Sequence, residues 1–480
     1  EDVRVAADPS APDVGWQAEV SDDGDWLILS NWRGTDGNGI RVQSLRDPDA
    51  APVVIFDGFA NNHDYVGNLV RSDGGTRFLF RTDLEASNGR LVAVDLETPG
   101  TLVDAIPEQS SPIESASHVG GHLIVSRLVD VATEVQVYTE DFMPVRTVEL
   151  PGLGTAGGFR GEPDDPETFF AFTSFNRPST LYRYDVASGE TALLRAPEVA
   201  FDPEDFVVEQ VFVDSTGGAR VPMFIVHRRD LQPSADAPLP TLLYGYGGFG
   251  VSLTPGFSVS RLAWLELGGV LAVANLRGGD EYGRDWHDAG RLERKQNVFD
   301  DFINAAEHLI ELGWASPGTL AIQGGSNGGL LVGAVANQRP ELFAAALPAV
   351  GVMDMLRFDR FTAGRFWVDD YGSPSDPRMF DVLRAYSPYH NIPSTTEYPA
   401  TLITTADTDD RVVPGHSFKF AAALQAAQAG PAPTLIRIET RAGHGAGTPI
   451  SKIVQETADE WAFIARHTGL DLGSTASGKR

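Results

Sequence analysis

The first 200 residues repeat a pattern of polar turns and short apolar strands. A turn rich in Asp and Gly leads into an apolar run four times, at residues 26–29, 78–80, 123–125 and 169–172. Two further apolar segments follow each run, and the whole unit recurs about every 45 to 50 residues, the length of one four-stranded propeller blade. Strand-like alternation with little helical periodicity therefore predicts an all-β propeller domain, partial, with about four blades. A pair of β-sandwiches is the alternative.

From about residue 205 the hydrophobic pattern changes, and strand-like runs alternate with longer segments of helical spacing. This alternation is typical of a mostly parallel sheet wrapped by helices. We therefore predict two domains, residues 1–204 and residues 205–480. The predicted strands are residues 223–226, 241–244, 270–274, 319–323, 344–347, 401–404 and 434–438, and the predicted helices include residues 298–312, 330–337, 414–427 and 450–467.

A serine stands where one predicted strand turns into a helix. Residues 319–323 lead into Gly324-Gly325-Ser326-Asn327-Gly328, which fits the G-x-S-x-G pattern of a nucleophile elbow. A sharp turn exposes the serine hydroxyl above the sheet, and the positive end of the following helix lies near the developing oxyanion. The motif predicts an α/β-hydrolase catalytic domain with Ser326 as its nucleophile.

A serine nucleophile needs a base and an acid that orients the base. In this fold the acid and then the histidine follow the serine along the chain. Asp407, Asp409 and Asp410 follow the strand at 401–404, and His444 lies in a glycine-flanked loop after the next strand. The other nine histidines lie in predicted helices or precede the acidic strand end. The pattern predicts His444 as the base and leaves the choice among the three aspartates open.

The composition excludes several classes of function. The chain has 480 residues, no cysteine and a net charge of −29. Disulfides, thiolate metal sites and a cysteine nucleophile are therefore ruled out, and such an acidic surface repels nucleic acid. The apolar runs are too short to span a bilayer, and no histidine pair has metal-ligand spacing with carboxylate support. We expect no membrane span, no metal and no cofactor.

Six short motifs closely resemble the prolyl oligopeptidase family. They are residues 244–249 (YGYGGF), 274–279 (ANLRGG), 324–329 (GGSNGG), 351–356 (GVMDML), 409–414 (DDRVVP) and 442–447 (AGHGAG). The resemblance implies a serine endopeptidase that cuts short proline-containing peptides after proline and carries a seven-bladed propeller. Four blades are visible and the chain opens on Glu1, so we expect an N-terminally incomplete sequence.

The resemblance also assigns catalytic roles to particular residues. Matching positions give a triad of Ser326, Asp409 and His444, with Asp409 as the orienting acid. The oxyanion hole would be the backbone N–H of Asn327 together with the hydroxyl of Tyr246. For Tyr246, a purely structural role in its glycine-rich loop is the alternative.

The same resemblance implies a substrate pocket. Arg411 would hold a carbonyl of the peptide upstream of the cut, and Trp367 would stack on the proline ring. Proline is a rigid apolar ring without an N–H, so a flat aromatic face suits it better than hydrogen bonds do. An ordinary core role for Trp367 and a structural salt bridge for Arg411 are the alternatives. The remaining pocket residues would be Phe249, Asn327, Val352, Tyr371 and Val412.

Rival functions share parts of this pattern. An oligopeptidase B-like enzyme would need acidic residues in the pocket, and an acylaminoacyl peptidase-like or dipeptidyl peptidase-like enzyme would need a clamp for the substrate N-terminus. A lipase or esterase, and a non-catalytic propeller scaffold, are alternatives from other classes. The motifs favour the post-proline peptidase, which we expect to be monomeric and cytoplasmic.

Overall fold

The computed structural model describes residues 6–7, 9–47, 49–71 and 73–472. Residues 1–5 and 473–480, at the outer ends of the two predicted domains, lie outside this range. The chain forms two compact units. One contains the residues up to Glu198 with Thr254–Gly256 and Asp280–Asp285, and the other contains Val199–Leu253, Phe257–Gly279 and the residues from Trp286 onward.

The first unit contains four separate antiparallel sheets, each of four strands in chain order. This is the arrangement of propeller blades and not of two packed sheets. The first two sheets consist of β1 (Val14–Val20), β2 (Trp26–Arg33), β3 (Asn38–Ser44), β4 (Val53–Phe56) and of β5 (His63–Val70), β6 (Thr76–Thr82), β7 (Arg90–Asp95), β8 (Val103–Ile106). The next two consist of β9 (Ile113–Val119), β10 (His122–Val129), β11 (Ala132–Thr139), β12 (Pro144–Thr147) and of β13 (Thr155–Arg160), β14 (Glu167–Ser174), β15 (Arg177–Asp185), β16 (Thr191–Arg195).

The sequence repeat does not predict the first strand of any of these four sheets. Strands β1, β5, β9 and β13 all contribute residues to a cavity of about 410 Å³, among them Glu19, Asp64, Glu114 and Arg160. Because these strands line a polar cavity, their side chains do not show the apolar alternation of the strands behind them. The repeat therefore marks three strands per blade, and the structure adds the fourth.

The second unit is built on one eight-stranded sheet. Its order is β17-β18-β20-β19-β21-β22-β23-β24, and its strands are β17 (Phe206–Asp214), β18 (Arg220–Arg228), β19 (Thr241–Tyr244), β20 (Val270–Ala274), β21 (Leu320–Gly325), β22 (Ala345–Ala349), β23 (Ala400–Ala406) and β24 (Thr434–Glu439). Strand β18 runs antiparallel to both neighbours, and every pair from β20 to β24 is parallel. The mostly parallel sheet is confirmed, and β17 is a strand that the pattern did not predict.

The α-helices of the described residues are α1 (Val259–Glu266), α2 (Arg284–Asp288), α3 (Gln296–Glu311), α4 (Asn327–Gln338), α5 (Val368–Tyr371), α6 (Pro377–Tyr386), α7 (Gly415–Ala427) and α8 (Ile450–Thr468). Helices α3, α4, α7 and α8 are the four that the spacing predicts. Phe299 and Phe302 of α3 and Leu330 of α4 are fully buried in the main core of this unit. Within the described ranges, no helix combines the length and apolar character that crossing a bilayer requires.

Candidate active site

Ser326 occupies the tight turn between β21 and α4. Its φ of 60° and ψ of −116° lie in a sparsely populated region, and such a conformation costs on the order of 1–3 kcal/mol in a non-glycine residue. The Ser326 N–H donates to the carbonyl of Ala349 at 2.8 Å, which ties the turn to the next strand of the sheet. The strained turn therefore has the geometry that a nucleophile elbow requires.

Glycines make room for this turn. A Cβ at Gly324 would lie 2.4 Å from the carbonyl oxygen of Gly328, and a Cβ at Gly328 would lie 2.8 Å from the carbonyl oxygen of Gly245. These are backbone atoms, so neither clash could be relieved by moving a side chain. The pattern of glycines around Ser326 therefore reflects close backbone approach.

The structure brings His444 and Asp409 together. His444 Nδ1 lies 2.6 Å from Asp409 Oδ2, and the Asp409 side chain is completely buried. Asp409 Oδ1 accepts two backbone N–H bonds, from Arg411 and Val412, each at 2.9 Å. The carboxylate is therefore held rigidly with one oxygen facing the imidazole.

The two neighbouring aspartates have different surroundings. Asp407 Oδ1 accepts the backbone N–H of Arg441 at 2.6 Å, so its side chain braces the loop before His444. Asp410 is exposed. Of the three carboxylates that follow β23, Asp409 is thus the one that contacts His444.

Tyr246 and Asn327 lie beside the serine. Burial raises the pKa of Tyr246 to about 12, Asp370 raises it further, and the nearby Ser326 side chain acts to lower it. Asn327 is the first residue of α4, a position whose N–H has no acceptor within the helix. The Asn327 side chain is buried, and its Nδ2 donates to the Tyr246 carbonyl at 2.6 Å. Both groups could therefore donate to an oxyanion near Ser326.

Arg411 is exposed, and its positive charge acts to lower the pKa of Tyr246. Among the residues that the structure describes, no carboxylate lies within 4.0 Å of its guanidinium. The alternative of a structural salt bridge with Asp410 thus has no support in the geometry. The guanidinium has the chemistry to hold a peptide carbonyl.

An aromatic cluster lies next to the elbow. Phe249 and Phe358 each pack edge-on against Tyr371 with ring centroids 5.3 Å apart, and Trp367 stacks on Phe358 at 6.4 Å. Trp367 and Phe249 are half-buried, whereas Val352, Tyr371 and Val412 are at most 2% exposed. The half-buried rings can face a ligand, and the buried residues support them from behind.

Four residues of this region were missed by the sequence patterns. Phe358 connects Trp367 with Tyr371, and Lys295, His287 and Asp370 form a buried polar group close to Asn327. Phe358 belongs to no alternation, and Lys295 lies just before a helix where a lysine is ordinarily solvated. The residues next to a charged side chain in sequence do not show whether that side chain is buried, so no sequence signal identifies Lys295 or Asp370 as part of the site.

Among the described residues, no group of three His, Asp or Glu side chains has the geometry of a metal site. The chemistry available near Ser326 is that of side-chain hydroxyl, imidazole, carboxylate and backbone N–H groups. This set suits covalent acyl transfer.

Comparison with known proteins matches both parts of the chain. Residues 1–197 match the prolyl oligopeptidase N-terminal beta-propeller domain, and residues 255–471 match the prolyl oligopeptidase family. The prolyl endopeptidase of Elizabethkingia miricola is 45% identical over 94% of this chain, and the match spans 63% of that relative's length.

Solved structures of prolyl oligopeptidases also match nearly the whole of this chain. A prolyl endopeptidase structure is 42% identical with a TM-score of 0.91, covering 97% of this chain and 68% of the other. Prolyl oligopeptidase B from Galerina marginata, solved with a 25mer macrocyclization substrate, is 35% identical with a TM-score of 0.93, covering 98% and 66%. The β-propeller and the catalytic domain fold are thereby confirmed. The chain belongs to the prolyl oligopeptidase family.

Proposed function

We propose that this chain contains the catalytic machinery of a serine endopeptidase that hydrolyses short peptides on the carboxyl side of proline. The hydrogen bond between buried Asp409 and His444 Nδ1 carries the proposal. It leaves Nε2 as the ring nitrogen that can accept a serine proton, which is the arrangement that a serine nucleophile requires. The prolyl endopeptidases among the relatives support the substrate class.

In the proposed reaction, His444 Nε2 removes the proton from Ser326 Oγ as the oxygen attacks the carbonyl carbon of proline. The negative oxygen that forms accepts hydrogen bonds from the Asn327 N–H and the Tyr246 hydroxyl. Because the pKa of Tyr246 is raised to about 12, its hydroxyl keeps its proton at neutral pH. His444 then gives the proton to the leaving amine, the C–N bond breaks, and water hydrolyses the acyl-enzyme by the same steps.

Specificity for proline is assigned to the aromatic cluster. Trp367 and Phe249 supply the partly exposed rings, while Val352, Tyr371, Val412 and the Asn327 side chain support the pocket wall. Arg411 holds a carbonyl of the substrate upstream of the cut. A rigid ring without an N–H gains from flat apolar contact and loses no hydrogen bond there.

An oligopeptidase B-like preference for Arg or Lys has less support. Such a preference needs a carboxylate available to the substrate. Asp370, next to Tyr371, already accepts the Phe249 N–H at 3.1 Å and lies 2.8 Å from His287 Nε2. Asp370 is also 2% exposed, so it offers no anionic surface to a cationic side chain.

We propose that the chain divides into the predicted domains, residues 1–204 and 205–480. The last blade strand ends at Arg195 and β17 begins at Phe206, so this boundary lies in the segment that connects them. The compact units divide six residues earlier, after Glu198.

A monomeric state is supported by the net charge of −29, because like charges oppose association. Light scattering tests the monomer, and cell fractionation tests the predicted cytoplasmic location.

Two measurements test the function. Reporter peptides that end in Ala-Pro and Ala-Arg are cleaved side by side, and a fluorophosphonate probe is mapped onto the chain by mass spectrometry. We expect cleavage of the proline reporter in large excess and labelling at Ser326. Preferred cleavage after arginine would reject the proline assignment, and labelling at another serine would reject the nucleophile.

A further inference from the structure

A lysine is buried directly behind the nucleophile elbow. Lys295 is 1% exposed, and its Nζ donates to the carbonyl oxygen of Gly247 at 2.8 Å and to Asn327 Oδ1 at 3.1 Å. A buried ammonium is costly unless its hydrogen bonds are made and its charge is paired. The first hydrogen bond goes to the loop that carries Tyr246. The second goes to Asn327, whose backbone N–H is the other proposed oxyanion donor.

Asn327 connects these segments through its side-chain amide. Its Nδ2 donates to the Tyr246 carbonyl at 2.6 Å, and its Oδ1 accepts from the Tyr371 hydroxyl at 2.9 Å as well as from Lys295. One amide therefore fastens the start of α4 to the loop after β19. Lys295 binds both sides of this connection.

Asp370 supplies the opposite charge. Its Oδ2 lies 3.9 Å from Lys295 Nζ, and its Oδ1 accepts the Phe249 N–H at 3.1 Å. The loop of residues 246–249 is thus held from two directions, through its Gly247 carbonyl by the cation and through its Phe249 N–H by the anion.

We infer that Lys295 is a positioning residue that aligns the Tyr246 hydroxyl and the Asn327 N–H on one oxyanion. The inference rests on the proposed function, since it presumes that these two groups are the donors. Oxyanion stabilisation is sensitive to placement, because donors must lie about 2.7–3.1 Å from the position that the charged oxygen will occupy. Lys295 touches neither donor atom and acts through the backbone and the amide that carry them.

The test compares Lys295→Met with Lys419→Met. Lys419 is also paired with a buried aspartate, Asp354, but its ammonium contacts neither Asn327 nor the 246–249 loop. Each variant is titrated with a short peptide ending in prolinal, which forms a tetrahedral adduct with the serine, and with the matching prolinol, which cannot. Folding is checked by near-ultraviolet circular dichroism and thermal melting.

We expect Lys295→Met to weaken prolinal binding on the order of 10²-fold, the scale of losing one oxyanion donor. Prolinol binding should change by less than about threefold, and kcat should fall with KM nearly constant. Lys419→Met should leave both ligands close to the wild-type values. Equal weakening of prolinal and prolinol by Lys295→Met would mean that the lysine merely supports the pocket and would overturn the inference.

A second variant covers the case in which Lys295→Met fails to fold. Lys295→Gln removes the charge but leaves a neutral amide that can still donate one hydrogen bond, so it should weaken prolinal more than prolinol, by about tenfold. Equal weakening of the two ligands in this variant would overturn the inference.

The pH profile gives an independent readout. Burial lowers the pKa of Lys295 to about 8, and Asp370 partly offsets that effect. Above that pH the pair changes from neutral to a net charge of −1 beside the oxyanion, so kcat should fall on the alkaline side. The titratable groups around the Lys295–Asp370 pair are His287, Tyr246, Tyr371 and Tyr386. Burial raises the pKa of all three tyrosines, that of Tyr246 to about 12, so they keep their protons in this range. Lys295→Met should lose this alkaline decline, and its persistence there would assign the decline to another group.

The phosphonylation rate separates this inference from the proposed function. Reaction with fluorophosphonate also places negative charge on an oxygen beside the serine, whatever the peptide preference of the enzyme. A wild-type protein that labels at Ser326 without cleaving after proline would reject the specificity alone, and Lys295→Met should still label more slowly. Equal labelling rates of wild type and Lys295→Met would reject the role of Lys295 and leave the nucleophile in place.

Discussion

Trp367 is half-buried and stacks on Phe358 with the rings only 8° from parallel. Loss of an aromatic stack costs roughly 0.5–1.5 kcal/mol beyond burial, and burial of the proline contributes roughly 1.5–3 kcal/mol. Trp367→Ala should therefore lower kcat/KM for proline substrates by roughly 30- to 2,000-fold. The measurement compares peptides with proline and with alanine before the cut, using protein that is shown to be folded.

The alanine peptide should lose much less, because it has no ring to stack, and Trp367→Phe should retain much of the proline activity. If both peptides lost the same factor, the tryptophan would have only the core role.

At the same scale, variants of Asp409 and Asp407 distinguish a carboxylate that orients His444 from one that only supports the loop. Asp409→Asn retains an oxygen for the backbone N–H groups but no longer favours the imidazole tautomer with a proton on Nδ1, so kcat should fall on the order of 10⁴-fold. Asp407→Asn can still accept the Arg441 N–H and should change kcat by less than about fivefold. Both are measured with the proline reporter at neutral pH. Comparable losses in the two variants would show that Asp409 acts only on loop structure.

The element that matters most for the site is the β21–turn–α4 unit. Gly324 and Gly325 are adjacent in it, yet a Cβ at Gly324 meets backbone at 2.4 Å whereas a Cβ at Gly325 has nothing closer than 3.9 Å. Gly324→Ala should therefore destabilise the fold by about 1–3 kcal/mol, as overpacking does. Gly325→Ala should be neutral or stabilising by up to about 1 kcal/mol, because alanine reduces the freedom of the unfolded chain.

Thermal melting of the two single variants makes this comparison. A shift of roughly 2–4 °C per kcal/mol is expected for a domain of this size. A larger loss for Gly325→Ala than for Gly324→Ala would mean that the elbow packs differently from the structure described above.

At the scale of the whole molecule, the net charge of −29 dominates. A strongly negative surface raises the local concentration of cationic peptides and lowers that of anionic ones, and salt screens the effect over about 8 Å at physiological ionic strength. A proline reporter with upstream lysines should thus lose about 10-fold in kcat/KM when NaCl rises from about 10 mM to about 500 mM. The matched glutamate peptide should gain, and a neutral peptide serves as the control. Identical salt responses of the three peptides would exclude steering by the surface charge.

The sequence by itself determined the features that depend on neighbours along the chain. Blade strands with their turns, the alternation of strands and helices, and the serine between β21 and α4 all have local periodicity or spacing, because backbone geometry repeats over a few residues. Even so, β1, β5, β9 and β13 were missed, since a polar cavity replaces the apolar face that the pattern depends on.

The tertiary structure decided the contacts between residues far apart in sequence. Local spacing left Asp407, Asp409 and Asp410 equivalent, and only the folded loops show which carboxylate faces His444. Lys295 binds partners 48 and 32 residues away, at Gly247 and Asn327. A lysine is buried only where several strands and helices pack around it and supply its hydrogen-bond acceptors and its opposite charge. These groups come from segments far apart in sequence, so the pattern of any one segment does not contain the information.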